Sequence, residues 1–394
     1  MENVHDDSVL DRIRNGYSLP SLSLVALKLV DLASSETVTI EEIAELIETD
    51  PALTVRLLRL ANSIFFRTVE PASTVEQAIM RIGSNHLRLL ALSISLRDTF
   101  PMGKVGMMDY ERFWRSSLYQ ALLAKKLAQS LSTCKPEEAF VSGLVLEVGF
   151  LIFHDLFLRG NDIQTEFHFY PLEPLLAWER GHFGVDHRQV GEEVLRFWRF
   201  PEAITRCQRV HSLDEVPDST PSIALVSEIA REFAALICEE SQEWDPVFKK
   251  AETVYGIASD VLSEILVATL EEVDHIADSL KVSVDAQKDV VGLVRKANTS
   301  LSELSAKVLI WQHQLANKPL PLKKAAQSPE VRDMLQTIVH EIRNPLTLVG
   351  GFAKRLSHSI DKDAEGWQYV QIILEESQRL ENVLATLTSE TTAN

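Results

Sequence analysis

Apolar residues along this chain recur mostly at intervals of three and four, the period of helices that bury one face. Two such stretches follow a Ser/Thr-x-x-Glu box, at Thr39 with Glu42 and at Ser73 with Glu76, which predicts a helix start at each. Asp50-Pro51 predicts another, with the aspartate as N-cap and the proline in the first turn, where a missing N–H costs nothing. Gly83 stands where the helix opened at Ser73 should end. No alternating apolar and polar stretch flanks an Asn-Gly or Asp-Gly turn, so the expected fold is all-α. The most apolar stretch, Phe140 to Leu158, is interrupted by Glu147, His154 and Asp155 and reads as a buried core helix or helix pair, not a membrane span.

Breaks then divide the pattern. Gly103 to Gly106 separates a first helical block from one opening at Tyr110, and Gly160 to Pro174 and Pro217 to Pro221 read as loops. Asn317-Lys318-Pro319-Leu320-Pro321 is the clearest linker, because two prolines so close cannot continue a helix. Before it, Val290, Val294, Ala297, Leu301, Leu304, Val308, Trp311 and Leu315 step by four and three alternately, which predicts a short coiled coil. An amphipathic helix lying on its own domain is the alternative. After the linker the same stepping returns at Leu335, Val339, Ile342, Leu346, Val349, Ala353 and Leu356. A second helix carries Val370, Ile373, Ser377, Leu380, Leu384 and Leu387. Such a hairpin is too thin to bury both seams, and pairing two copies into a four-helix bundle predicts a homodimer. The expected divisions are 1–215, 216–284, 285–317 and 328–394.

Charge and cysteine content narrow the function. The 394 residues carry a formal net charge of −18, and no Lys/Arg-rich run is visible, so neither nucleic acid nor a membrane surface is an expected partner. Cys134, Cys207 and Cys238 are odd in number, far apart and without a CxxC pair, which excludes a disulfide framework and fits a reducing cytoplasm. The acidic start, Met1 to Asp11, is unlike a signal peptide. A cytoplasmic location is the expectation.

The candidate chemistry centres on His340. It follows the seam residue Val339 and so falls on the solvent side of its helix, with Asn344 at i+4 and Thr347 at i+7 on the same face. Pro345 removes the backbone bond to the Glu341 carbonyl. An imidazole beside a carboxylate has one free nitrogen to attack an electrophile, while an acceptor on the other fixes the tautomer and stabilises the developing cation.

His340-Glu341-Ile342-Arg343-Asn344-Pro345-Leu346 resembles the H-box of the dimerisation and phosphoacceptor domain of sensor histidine kinases (HisKA). The resemblance implies that His340 receives a phosphoryl group, that Glu341 is its base or orienting partner, and that Asn344 helps to position a water that dephosphorylates a response regulator. Such kinases carry an ATP-binding domain after the hairpin. Only Glu341 to Asn394 follow the histidine here, so autophosphorylation from ATP is not expected. The open alternatives are phosphotransfer with a response regulator or a separate kinase, a kinase completed by an ATP-binding domain in trans, and a non-catalytic scaffold.

Residues from Leu19 to His211 resemble the HDOD family, signalling modules related to HD-type metal phosphohydrolases but generally without their active site. The resemblance is carried by segments including Asp50-Pro51-Ala52-Leu53-Thr54, Phe113-Trp114-Arg115-Ser116-Ser117, Leu144-Val145-Leu146-Glu147-Val148-Gly149 and Asp186-His187-Arg188-Gln189-Val190-Gly191. On it, the first metal-binding histidine falls at Ser116 and the His-Asp pair at Leu146-Glu147, and neither serine nor leucine replaces imidazole. His154-Asp155 is a decoy lying beyond the matching glycine. His182, His187 and His211 are expected to be structural, and no metal or cofactor is expected. Trp114, Trp178, Phe197 and Trp198 are expected in the core. An unknown small molecule or protein would supply the signal to this domain.

Overall fold

Residues 39–62, 71–101, 103–105, 108–158, 171–211, 222–239, 244–286 and 288–297, with scattered positions between 23 and 28 and between 299 and 380, are those described by the structure, a computed structural model. They divide into two compact units: 1–239 with 271–286, and 240–270 with 287–394.

From Thr39 onward the described part of the first unit runs through four helices whose ends follow from local chemistry. In α1 (Ile40–Glu48) Thr39 and Glu42 form the expected reciprocal box: the Glu42 N–H donates to Thr39 Oγ1 at 3.2 Å and the Thr39 N–H to Glu42 Oε2 at 2.9 Å. Ahead of α2 (Pro51–Ala61), Asp50 Oδ1 accepts from the N–H groups of Ala52 and Leu53, both at 3.0 Å. The next start is displaced by one residue from the expected box. Thr74, not Ser73, caps α3 (Val75–Ile82) by accepting from the Gln77 N–H, and Gln77 Oε1 in turn accepts from the Ser73 N–H. Gly83 ends α3 at φ 89°, a conformation that a side chain disfavours, and α4 (Ser84–Thr99) follows at once. A two-residue antiparallel pair, β1 (Lys104–Val105) with β2 (Met108–Asp109), occupies the break around Gly103 and does not alter the all-α character.

The core is built around α5 (Tyr110–Leu131), which is buried on nearly every side and packs on α6 (Pro136–Val145) and α11 (Ser222–Cys238). Phe113, Trp114, Tyr119, Phe140, Phe150 and Phe233 are fully buried, each contributing about 1.5–3 kcal/mol by removal from water. The apolar stretch expected to be a core helix pair is one: α6 turns at Leu146-Glu147 into α7 (Val148–Phe153) and then a π-helical turn, His154–Leu158. Residues 136–158 are long and apolar enough to cross a membrane by composition alone, but 83% of the most apolar window is buried inside the protein. Next come α8 (Leu172–Phe183), α9 (His187–Phe197) and α10 (Glu202–Thr205), the last running into a 3-10 turn, Arg206–Arg209. Trp114 and Trp198 are core residues as expected; Trp178 is half-buried, and Phe197, at the C-terminal end of α9, is 43% exposed.

Two further helices are α12 (Trp244–Thr253) and α13 (Ser259–Leu280). In the second unit, residues 288–297 are helical, with Leu293 and Ala297 buried and Val290 and Val294 half-buried; the rest of the expected coiled coil and the Asn317–Pro321 linker lie outside the described residues. In the C-terminal hairpin, Leu346 is buried with Ile342 packed on it, and Ala353 and Ser377 are buried. A Cβ on Gly350 would stand 3.4 Å from Ser377 Cβ, so the two helices meet there. Ile373 and Leu380, both on the expected second seam, are exposed.

Candidate functional site

His340, Glu341 and Asn344 lie outside the described residues. The densest chemistry among the described residues lies in the first unit, around His187 and Glu147.

Its framework is local. Gly184 closes α8 in the left-handed conformation at φ 80°, and two residues later Asp186 caps α9. Asp186 Oδ1 accepts from the Gln189 N–H at 2.8 Å and Gln189 Oε1 from the Asp186 N–H at 2.9 Å. Arg180 Nη1 donates to Asp186 Oδ2 at 2.6 Å and locks the turn from α8. This turn sets His187 and Arg188 at the first two positions of α9, facing Glu179 of α8. Glu179 Oε2 also accepts the His187 backbone N–H at 2.9 Å, satisfying one orphan donor of the helix start. From the other side, α7 approaches α9 so closely that a Cβ on Gly149 would fall 1.9 Å from the His187 carbonyl oxygen and 2.5 Å from the Gly191 nitrogen. Only glycine permits that approach, which brings Glu147, the N-cap of α7, to the His187 ring.

The result is a buried ionic cluster. His187 Nδ1 lies 2.7 Å from Glu179 Oε2, and its Nε2 lies 2.9 Å from Glu147 Oε2; Phe150 meets the ring edge-on at 5.6 Å. Arg188 Nη2 donates to Glu147 Oε1 at 2.7 Å and to Glu228 Oε2 at 3.1 Å. Arg231, one turn along α11, donates from Nε to Glu228 Oε1 at 2.6 Å. All six side chains are nearly or completely inaccessible to water. Three carboxylates meet three cations only if His187 is an imidazolium. Burial alone would lower the His187 pKa, but the charge of Glu179 and its bonds to both carboxylates outweigh that and raise it from 6.5 to about 9. Burial would raise Glu147, yet Arg188, His187 and Arg231 pull it from 4.5 down to about 2. Glu228 likewise outweighs burial at Arg231 and holds that guanidinium protonated.

Such an arrangement does not fit a metal. A ligating imidazole offers a lone pair, whereas both His187 nitrogens face carboxylates, and a guanidinium stands between Glu147 and Glu228. Ser116 is buried on α5 with its Oγ lacking a hydrogen-bond partner among the described residues, and Leu146 supplies no donor. No group of three or more His, Cys, Asp or Glu among the described residues is placed to hold a metal ion. His154 and Asp155 stand apart on the π-turn, 3.8 Å from each other. His182 is exposed against the Trp178 carbonyl, and His211 pairs with Glu173 at 3.2 Å. His187 is instead held between Glu179 and Glu147, partners to which no local sequence pattern points. The available signal was Glu228, Arg231 and Glu232, three charges on one face of the otherwise apolar α11.

The fold and this cluster define a helical domain of HD-like architecture whose centre is filled by its own ion pairs, followed by a second helical unit. Residues 19–213 belong to the HDOD domain family, and residues 330–391 to the His Kinase A (phospho-acceptor) domain family, a combination that fits signal transduction. Among solved structures, an HDOD domain protein with unknown function from Geobacter sulfurreducens shares the fold, with a TM-score of 0.52 and 21% identity over 69% of this chain and 98% of that one. The MmoQ response regulator from Methylococcus capsulatus str. Bath is 32% identical over 63% of this chain and 98% of its own, with a TM-score of 0.37. The uncharacterized protein YuxH of Bacillus subtilis is 25% identical over 145 residues; the match spans 37% of this chain and 35% of that curated relative.

Proposed function

We propose that this protein is a two-component phosphotransfer element, in which the HDOD domain receives a signal and His340 exchanges a phosphoryl group with a partner response regulator. The observation that carries this reading is the intact His340-Glu341-x-x-Asn344-Pro345 register inside a HisKA match, on the same chain as an HDOD domain. One ring nitrogen of a neutral His340 attacks the phosphorus of the regulator's aspartyl phosphate, the P–O bond to the aspartate breaks and its carboxylate leaves; Glu341 holds the proton on the other nitrogen, orients the ring and stabilises its positive charge as the phosphoramidate forms. In a separate reaction, Glu341 and Asn344 hold a water in line with the regulator's aspartyl phosphate; the water attacks the phosphorus and inorganic phosphate and the free aspartate are released. The phosphoryl donor in this reading is a phosphorylated regulator or a histidine kinase, and the setting is the cytoplasm.

Two chains act together in this proposal. The exposed Ile373 and Leu380, one heptad apart, support pairing of two hairpins into a four-helix bundle. The HDOD domain contributes binding rather than hydrolysis, which its self-paired cluster supports. The signal reaches the hairpin through the helix that includes residues 288–297, as a change between two packings of similar energy.

Response regulators captured by the full chain would be phosphorylated and mixed with it. Acid-labile label on the wild-type chain, or faster loss of regulator phosphate, is expected, with both effects abolished in His340→Gln. Label that persists in His340→Gln would refute the assignment.

A further inference from the structure

In the buried cluster around His187, where a metal does not fit, a cation of the chain's own stands instead. A single nitrogen, Arg188 Nη2, takes up two carboxylates from different helices, Glu147 at 2.7 Å and Glu228 at 3.1 Å. Those helices, α7 and α11, are joined at this point through one cation, as two carboxylate ligands are joined through a divalent ion. The remaining Glu147 oxygen is held by His187 and the remaining Glu228 oxygen by Arg231, so neither carboxylate is free to turn away. Arg188 is 1% exposed, and its Nε and Nη1 have no hydrogen-bond partner among the described residues. Its hold on the cluster therefore runs through Nη2. Glu147 and Glu228 are also fixed by neighbours that do not depend on Arg188, so the cradle persists when the guanidinium is withdrawn.

We propose that Arg188 is the resident cation of this cleft, and that Glu147 and Glu228 form a cation-binding site which a free small cation enters once the Arg188 side chain is cut back. The occupant is defined by chemistry: a planar guanidinium matching the native group, or a divalent oxygen-seeking ion. The inference concerns the HDOD centre alone and stands or falls independently of phosphotransfer at His340.

The test uses the full chain with Arg188→Ala and, as a volume control, Arg188→Met, read by thermal unfolding. Cutting back one partner of a buried pair strands the other charges, and the Arg188→Ala midpoint is expected to fall by about 10 °C. Millimolar methylguanidinium or Mn²⁺ should restore at least half of that loss in Arg188→Ala while leaving the wild type unchanged, and the two additions distinguish the kinds of cation. If Arg188→Ala does not accumulate folded, it is refolded from denaturant with and without each ion. A yield that rises with either ion supports the site, and equal yields overturn it. Recovery on mild acidification with no response to either ion overturns it too, since the carboxylates would then be taking protons in place of a cation. So would an Arg188→Met protein as stable as the wild type, because the charge would then be dispensable.

Discussion

In the first unit, α11 is buried almost all round, and even its Glu228 and Arg231 are drawn into the interior and paired there. The second helix of the C-terminal hairpin behaves differently: Ser377 is buried, while Ile373 at 41% and Leu380 at 43% remain exposed in the single chain. Burial of charge inside a domain is tolerated when every ion has a partner close by, and the partners come from four helices of the same unit. Exposure of an apolar heptad face is costly in water and is relieved when a second copy covers it. The contrast is between an element whose packing is complete within one chain and one that the proposed dimer would cover.

The largest expected effect falls on the complete side. Gly149→Ala drives a methyl group into backbone on α9 from which nothing flexible can retreat, and should cost about 3 kcal/mol or more, read as a lower unfolding midpoint. A midpoint equal to wild type would mean that the close approach of α7 to α9 does not hold the cluster together.

Titration should show a nearly equal effect. The His187 pKa is raised from 6.5 to about 9, so its contribution is fully present below pH 6.5 and disappears as pH rises through about 9, a loss on the order of 3 kcal/mol. The Glu147 pKa is lowered, so its contribution is present above pH 4.5 and fades as pH falls toward 2. Denaturant unfolding across this range should therefore show an alkaline limb that is absent from His187→Gln.

Leu380→Glu sharpens the other side of the comparison. It should shift the full chain toward monomer in analytical ultracentrifugation while leaving the alkaline limb of the HDOD domain in place. An unchanged sedimentation profile would remove Leu380 from the dimer interface. The smallest effect is that of Thr39→Ala, which deletes the cap of α1 and should lower stability by about 1 kcal/mol.

What the sequence revealed about this molecule was mostly local. Asp50-Pro51, Thr39 with Glu42 and Gly83 act within four residues of themselves, and each does in the structure what its chemistry requires. At Ser73 the helix start shifts by one position because Thr74 offers the same hydroxyl and Gln77 the same reach as Glu76. The cluster was illegible for the opposite reason. Arg188 finds its carboxylates 41 and 40 residues away in sequence, and no helical period connects such partners. The HisKA segment was legible because its signal is a contiguous heptapeptide, His340 to Leu346, whereas His187 gave only a lone imidazole, and its place followed from the helices that converge on it. Phe197 shows the limit of composition: a large aromatic beside the buried Trp198 still points outward.

Localising the phosphoryl group on the intact protein tests the central claim most directly. Full-length chain exchanged with its phosphorylated regulator would be digested at alkaline pH, where phosphoramidates survive, and mapped by mass spectrometry. The account predicts one modified imidazole, on the peptide containing His340, and none on His187. Phosphate found on another residue, or a regulator that loses its phosphate equally fast with wild type and His340→Gln, would contradict it.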